Sequence, residues 1–221
     1  TEKGAGIFHE MGLGKTVIAL ATIKFHSEKY TPTLYVVKSA IKFQWLKEII
    51  RWMGPEYLGQ IIISSKDSVL PGLKTYIIAY DLLRRFPKER IEQLGIKCVV
   101  LDECQQIKNA DSTRTQEVRN LVRNPTVKVI PLSGTPWKNR GSEFFPVLNM
   151  LAPMKFHSQL GFVKQWVNYH HIGAKTKEGG IRNIEAFREY IKNIAIRYEY
   201  NEVMDEFPEV NRNKLHIQLD T

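Results

Sequence analysis

The chain has 221 residues, 43% of them hydrophobic and 25% charged, which is enough to bury a core and excludes a disordered tract or a collagenous repeat. Its 32 Lys+Arg against 23 Asp+Glu leave a formal charge of +9, which points toward a polyanionic partner. Two cysteines make neither a disulfide framework nor a cysteine zinc site, and apolar runs such as Cys98–Leu101 fall far short of the roughly 20 residues of a membrane span, so a reducing intracellular setting (cytoplasm, nucleoid or nucleus) and no membrane partner are expected.

Thr1 is not an initiator Met, so a processed or excised piece is expected, and no signal peptide opens the chain. Gly6-Ile7-Phe8 reads as a short strand entering a glycine loop, and Lys15 to about Lys29 as a helix. Thr33–Val37 is a compact β-branched strand. Ile41–Met53 is an amphipathic helix with Ile41, Trp45, Ile49 and Trp52 near one stripe. Two further strands, Gln60–Ser64 and Thr75–Ala79, precede helical stretches Asp81–Phe86 and Lys88–Leu94, which Pro87 separates. Lys97–Leu101 is a strand running into Asp102-Glu103, Asp111–Arg123 a helix and Thr126–Leu132 a strand.

This alternation predicts an α/β fold: a doubly wound, mostly parallel sheet with helices on both faces. After about residue 141 helices dominate: Glu143–Leu151, Ser158–Tyr169 and Asn183–Ile196, with a polar glycine loop at Ala174–Gly180 and a last strand at Lys214–Leu219. Residues 1–150 are therefore expected to form the sheet domain, and 151–221 a helical extension with a final strand.

Three elements carry chemistry. His9-Glu10-Met11-Gly12-Leu13-Gly14-Lys15-Thr16 lies between a strand and a helix, where backbone N–H groups and a helix N-terminus favour a phosphate. Lys15 suits the β and γ phosphates and the Thr16 hydroxyl suits Mg²⁺, although His9 stands where the general phosphate-loop pattern has Gly. Asp102-Glu103 ends a strand, the edge where open α/β sheets bind ligands. Asp102 then suits Mg²⁺, and Glu103 suits orienting or deprotonating an attacking water. Leu132-Ser133-Gly134-Thr135-Pro136 is a tight turn past another strand, placed to relay nucleotide state.

In this order the three elements resemble the first RecA-like lobe of a superfamily-two helicase, and most closely the Swi/Snf family of DNA-dependent ATPases. That family has a loop close to Asp-Glu-Met-Gly-Leu-Gly-Lys-Thr, here with His9 for the Asp. It has an acidic box, here Asp102-Glu103-Cys104-Gln105 followed by Ile107-Lys108-Asn109, and a Ser-Gly-Thr-Pro turn followed here by Lys138-Asn139. Leu34–Lys38 with Gln44-Trp45, Ile77–Leu83, Phe144–Pro153 and Arg197–Leu219 give weaker matches; Lys38 replaces a usual Pro, and Tyr198 a usual basic residue.

The resemblance implies a RecA-like fold, ATP and Mg²⁺ as cofactors, and nucleic acid, double-stranded DNA above all, as partner. It assigns Met11, Gly12, Leu13, Gly14, Lys15 and Thr16 to nucleotide, Thr16 and Asp102 to Mg²⁺, and Lys15, Asp102 and Glu103 to catalysis. Gln105, Ser133 and Thr135 would couple nucleotide state to DNA. Lys38, Ser39, Tyr80, Lys108, Asn109 and Lys138 would position DNA phosphates. A second lobe with an arginine finger would follow, and an adenine-reading segment would precede the loop. Without them this lobe is expected to be nearly inactive.

Trp45 and Trp52 at helical spacing are expected in the core, and His170-His171 lacks a partner at metal-ligand spacing. Cys104 reads as a small tolerated residue. The basic residues Lys175, Lys177, Arg182, Arg188 and Lys192 read as a solvated face. Rival readings are a strand-separating helicase lobe, a non-hydrolysing nucleic-acid-binding module and a small-molecule kinase. The intact Lys15, Thr16, Asp102 and Glu103 disfavour the module, and the acidic box with the Ser-Gly-Thr-Pro turn disfavours the kinase.

Overall fold

The computed structural model describes residues 2–172 and 175–203. In chain order the elements are β1 (Gly6–Ile7), α1 (Lys15–Phe25), α2 (Ser27–Tyr30), β2 (Thr33–Val37), α3 (Lys42–Met53), β3 (Gln60–Ile62), β4 (Thr75–Ala79), α4 (Tyr80–Leu83) and α5 (Lys88–Glu92). Then come β5 (Cys98–Leu101), α6 (Thr113–Leu121), β6 (Lys128–Pro131), α7 (Phe145–Leu151), α8 (Gln159–Trp166), β7 (Val167–Ile172), β8 (Lys175–Ile181), α9 (Ile184–Ile191) and β9 (Ala195–Ile196).

Five strands form a parallel sheet in the order β3-β4-β2-β5-β6. Beyond β6, parallel bridges Gly4↔Val129 and Ile7↔Leu132 attach β1, and β9 pairs with β1 in parallel, Gly6 opposite Ala195 and Ile7 opposite Ile196. The succession β3-β4-β2-β5-β6-β1-β9 is thus parallel throughout.

Its central strands β2, β4 and β5 are buried at every residue, as strands covered on both faces must be. Side-chain alternation sends Tyr35, Val37, Ile77 and Val100 to one face, where Ala19, Leu20 and Ile23 of α1 and Trp45, Ile49 and Met53 of α3 cover them. Leu34, Val36, Ile78, Val99 and Leu101 face the other side. There they share one core with Val118 of α6, Leu148 of α7, Phe162 of α8 and Phe187 of α9. Among the described residues no helix is long and apolar enough to cross a membrane.

Several boundaries differ from expectation. The first helix ends at Phe25, because His26 takes φ −115°, ψ 42°, and a separate turn of helix runs over Ser27–Tyr30. Trp52 is 43% exposed and its indole donates to Glu48 Oε2 at 2.8 Å; Met53 fills the buried place. Four-residue steps from Trp45 through Ile49 lead to Met53, one position past the residue the sequence stripe included.

The extension is not wholly helical. The helix expected to Tyr169 stops at Trp166, and β7 and β8 form an antiparallel hairpin where a polar glycine loop was expected. Its glycines mark close approach: a Cβ on Gly179 would lie 2.5 Å from His170 Nε2, and one on Gly141 would lie 3.1 Å from the Gly180 backbone. Asn183, at φ 46°, caps α9 by accepting the Ala186 N–H at 3.2 Å; the chain then leaves the helix after Ile191 to build β9. The expected strand at Lys214–Leu219 lies outside the described residues.

Candidate functional site

The loop after β1 turns through two glycines with positive φ, Gly12 at 88° and Gly14 at 70°, a region costly for residues with a Cβ. Gly14 ends the turn, and its carbonyl accepts the Ile18 N–H at 3.0 Å to start α1. The remaining first-turn N–H groups of α1 face the loop. Met11 is exposed, Leu13 and Thr16 are half-buried, and the Leu13 N–H donates to Glu10 O at 3.3 Å. Lys15 Nζ donates to His9 O at 3.0 Å and Glu10 O at 2.9 Å.

Asp102-Glu103 leaves β5 at the same sheet edge, because β1, β6 and β5 are successive parallel neighbours. The two acids reach Lys15 electrostatically. Burial lowers the Lys15 pKa, the carboxylates of Glu103 and then Asp102 push it back up, and Arg197 pulls it down. Burial likewise raises the Asp102 carboxyl; the Trp45 hydrogen bond opposes this, the Glu103 charge adds to it, and Lys38 opposes it.

Asp102 is held at three atoms. Its N–H donates to Val36 O at 3.0 Å, its carbonyl accepts from Tyr80 Oη at 2.9 Å, and its Oδ2 accepts the Trp45 Nε1–H at 2.9 Å. Glu103 sits at φ 49°, ψ 54°, a left-handed conformation that costs a non-glycine residue on the order of 1 kcal/mol or more. This bend turns its carboxylate to accept from Gln105 Nε2. Gln105 Oε1 accepts from Ser133 Oγ at 2.7 Å, and Ser133 Oγ accepts the Thr135 N–H at 2.9 Å. One continuous chain of hydrogen bonds therefore joins Glu103, Gln105, Ser133 and Thr135. Cys104, beside them, is buried, which pushes its thiol pKa up and leaves it protonated.

A segment from the far end of the chain closes over the glycine loop. The Phe8 and Glu10 N–H groups donate to Ile196 O at 2.8 Å and Tyr198 O at 3.1 Å. The Tyr198 N–H donates to His9 Nδ1 at 2.9 Å and the Tyr200 N–H to Glu10 Oε2 at 2.8 Å, while the Tyr200 hydroxyl donates to Met11 O. Arg197 Nη1 bridges Phe8 O at 2.9 Å and Gly134 O at 3.2 Å, tying the exit of β1 to the turn after β6.

Of the expected DNA contacts, Lys38, Ser39, Asn109 and Lys138 are exposed. Lys108 pairs with Glu143 at 3.2 Å. Tyr80 does not belong with them: it is 4% exposed, and its hydroxyl is spent on the Asp102 carbonyl. Sequence reasoning passed over Trp45 as core, although a buried indole N–H needs an acceptor and an acidic strand end was the obvious supply. It also missed Glu143, whose Oε2 accepts the Lys138 and Asn139 N–H groups at 2.9 and 3.1 Å and so shapes the chain after the Ser-Gly-Thr-Pro turn.

A parallel sheet carries the glycine loop, the acidic pair and the Ser-Gly-Thr turn on one edge, and this architecture is a RecA-like fold. The SNF2-related domain matches residues 2–221, and the chain belongs to that family. It is 29% identical over 222 residues to human DNA annealing helicase and endonuclease ZRANB3, covering 95% of this chain and 20% of that protein. It is 27% identical over 187 residues to DNA repair and recombination protein RAD54 of Saccharomyces cerevisiae, covering 72% of this chain and 20% of that one. The chain thus spans about a fifth of the length of these relatives. The Sulfolobus solfataricus SWI2/SNF2 ATPase core in complex with dsDNA shares the fold, with a TM-score of 0.68 at 20% identity over 93% of this chain and 42% of that one.

Proposed function

We propose that this chain is the ATP-binding lobe of a DNA-dependent ATPase that couples hydrolysis to translocation on, or remodelling of, double-stranded DNA. The observation that supports this best is the electrostatic meeting of Lys15 with Asp102 and Glu103 at one sheet edge. Names of the relatives, which speak of DNA helicase and repair roles, agree with an intracellular protein acting on DNA. In this reading residues 1–150 are the lobe proper and 151–221 its extension.

Met11 to Thr16 wrap the triphosphate, with N–H groups at the start of α1 on its oxygens and Lys15 exchanging its two loop carbonyls for the β and γ phosphates. The Thr16 hydroxyl and the Asp102 carboxylate would supply oxygen donors suited to Mg²⁺, and the half-buried, destabilised Asp102 anion would gain from a cation there. When bound, Mg²⁺ neutralises charge on the β and γ oxygens. Glu103 orients the attacking water and takes its proton. Its left-handed backbone holds the carboxylate, and Gln105, Ser133 and Thr135 carry a change at Glu103 toward the turn that leads to Lys138. Lys38, Ser39, Lys108, Asn109 and Lys138 serve DNA phosphates, which carry no sequence information and so suit a translocating motor.

Arginine-finger chemistry belongs to a second lobe, and its absence costs about 10³–10⁵ in rate in related hydrolases. Alone, the 221 residues are expected to bind nucleotide and scarcely turn it over. Equilibrium titration with fluorescent ATP tests binding. DNA-stimulated turnover is measured on a longer protein containing this lobe. An unwinding assay beside a triplex-displacement assay on that protein separates strand separation from duplex translocation.

A further inference from the structure

His9 has no task in the scheme above, yet it is 3% exposed and lies at the root of the glycine loop. Its Nδ1 accepts the Tyr198 N–H at 2.9 Å, so the neutral ring carries its proton on Nε2. The same residue's carbonyl accepts Lys15 Nζ at 3.0 Å, and the Tyr198 ring lies 5.1 Å from the imidazole. His9 therefore touches both the phosphate-binding lysine, through its backbone, and the covering segment, through its ring.

We propose that His9 is a positioning residue: its neutral imidazole pins Tyr198 and so holds the segment Ile196–Glu202 over the glycine loop, which makes nucleotide binding depend on His9 remaining unprotonated. The inference rests on the nucleotide reading of the loop given above.

Protonation at Nδ1 converts the acceptor into a donor. Two N–H groups then face each other at a distance built for one hydrogen bond, and the Tyr198 N–H loses its partner. The charged groups facing His9 make that proton unwelcome. Lys15 from α1 and Arg197 from the covering segment are cations. Glu202, in the following helical turn, is among the described residues the one opposing charge that acts on the ring. Glu10, next in the chain, has its carboxylate on the Tyr200 N–H, and the Ser133–Thr135 turn brings no charge. Burial first, then Lys15 and Arg197, hold the His9 pKa below the ordinary imidazole range. Once His9 is charged, the contacts that follow Tyr198 are released together: Tyr200 N–H to Glu10 and Tyr200 hydroxyl to Met11. The loop then loses the frame against which Lys15 is set.

The sign is fixed. Folded His9 resists protonation that the unfolded chain accepts, so both folding and loop order are at full strength at neutral pH and weaken as pH falls from about 6.5, the unfolded value.

The test compares the 221-residue chain with His9→Asn and His9→Leu. An Asn Oδ1 reaches the Nδ1 position as an acceptor and does not titrate, whereas Leu keeps bulk without an acceptor. Affinity for a fluorescent ATP analogue is titrated from pH 8 to 5.5, and the His9 ring carbon and Tyr198 amide are followed by NMR without nucleotide. The parent chain is expected to lose affinity relative to His9→Asn on the order of tenfold per pH unit below the His9 pKa, the slope of one linked proton. The Tyr198 amide should shift with the same midpoint as the His9 ring, and His9→Leu should bind weakly at every pH. Parallel affinity profiles for the parent and His9→Asn, or a Tyr198 amide that ignores the His9 titration, overturn the proposal. Failure of all three proteins to bind nucleotide at pH 8 overturns the nucleotide reading instead, while the NMR titration still decides the His9–Tyr198 link. If His9→Leu does not fold, His9→Asn and the NMR midpoint carry the decision.

Discussion

The indole N–H of Trp45, on α3, donates to Oδ2 of Asp102, at the end of β5, at 2.9 Å. This bond anchors one oxygen of the carboxylate across the seam between α3 and the end of β5. It also offsets part of the burial that raises the Asp102 pKa. Trp45→Phe keeps an aromatic ring in the core and removes the donor. It should cost about 1.5–3 kcal/mol, the range for a hydrogen bond to a charged group. It should also raise the Mg²⁺ concentration needed for half-maximal nucleotide binding. Denaturant melts and Mg²⁺ titrations check the two effects, and a variant that loses stability alone would make Trp45 a packing residue only.

The Glu103–Gln105–Ser133 chain gives a second expectation. Ser133→Ala leaves the Gln105 oxygen, in a residue 7% exposed, without its donor, at a cost of about 1–3 kcal/mol. Gln105 is then free to rotate away from Glu103. In any longer protein that contains this lobe, stimulation of ATP turnover by duplex DNA should fall more than nucleotide affinity does. Turnover measured with and without DNA, beside equilibrium nucleotide binding, checks this. Equal losses in both would contradict a relay.

Glu143 sets a pH dependence. Burial alone would raise its carboxyl, but the N–H groups of Lys138 and Asn139 and the Lys108 ammonium hold its pKa below the usual range. A depressed carboxyl contributes stability above the unfolded pKa and loses it as pH falls through the folded value. Glu143→Gln should therefore destabilise the lobe at pH 7 and converge on the parent chain in acid, below the ordinary carboxyl range. Thermal melts from pH 7 to pH 3 read the gap, and a gap independent of pH would remove the charge from the explanation.

Gly12 combines φ 88° with an obstruction: an added Cβ would lie 2.6 Å from the Tyr200 hydroxyl. Gly12→Ala should cost roughly 1–2 kcal/mol from the left-handed backbone and should displace Tyr200. Combining it with Tyr200→Phe should recover part of the loss. A strictly additive double variant, measured by denaturant melts, would show that the two do not meet.

Much of the sheet was legible because its central strands are short, unbroken apolar runs. Thr33–Val37 and Thr75–Ala79 have the bounds their composition implies. The hairpin of β7 and β8 was not legible, because lysines and paired glycines read as a loop until a partner strand fixes them. Chemistry-bearing residues were visible because each sits in the loop that follows a strand or at the helix start just beyond it. Their wiring was not, because Trp45 reaches Asp102 across 57 positions, and Tyr198 reaches His9 across 189. Such contacts depend on how the sheet stacks its strands, which no local pattern encodes.

The central claim is that Lys15 and Glu103 serve one triphosphate, the first by holding it and the second by activating water. Binding and turnover measured side by side for Lys15→Ala and Glu103→Gln, in a longer protein containing this lobe, test it most directly. Lys15→Ala should abolish ATP binding, while Glu103→Gln should bind ATP and stop turnover. Normal turnover by Glu103→Gln, or undiminished ATP binding by Lys15→Ala, would contradict it.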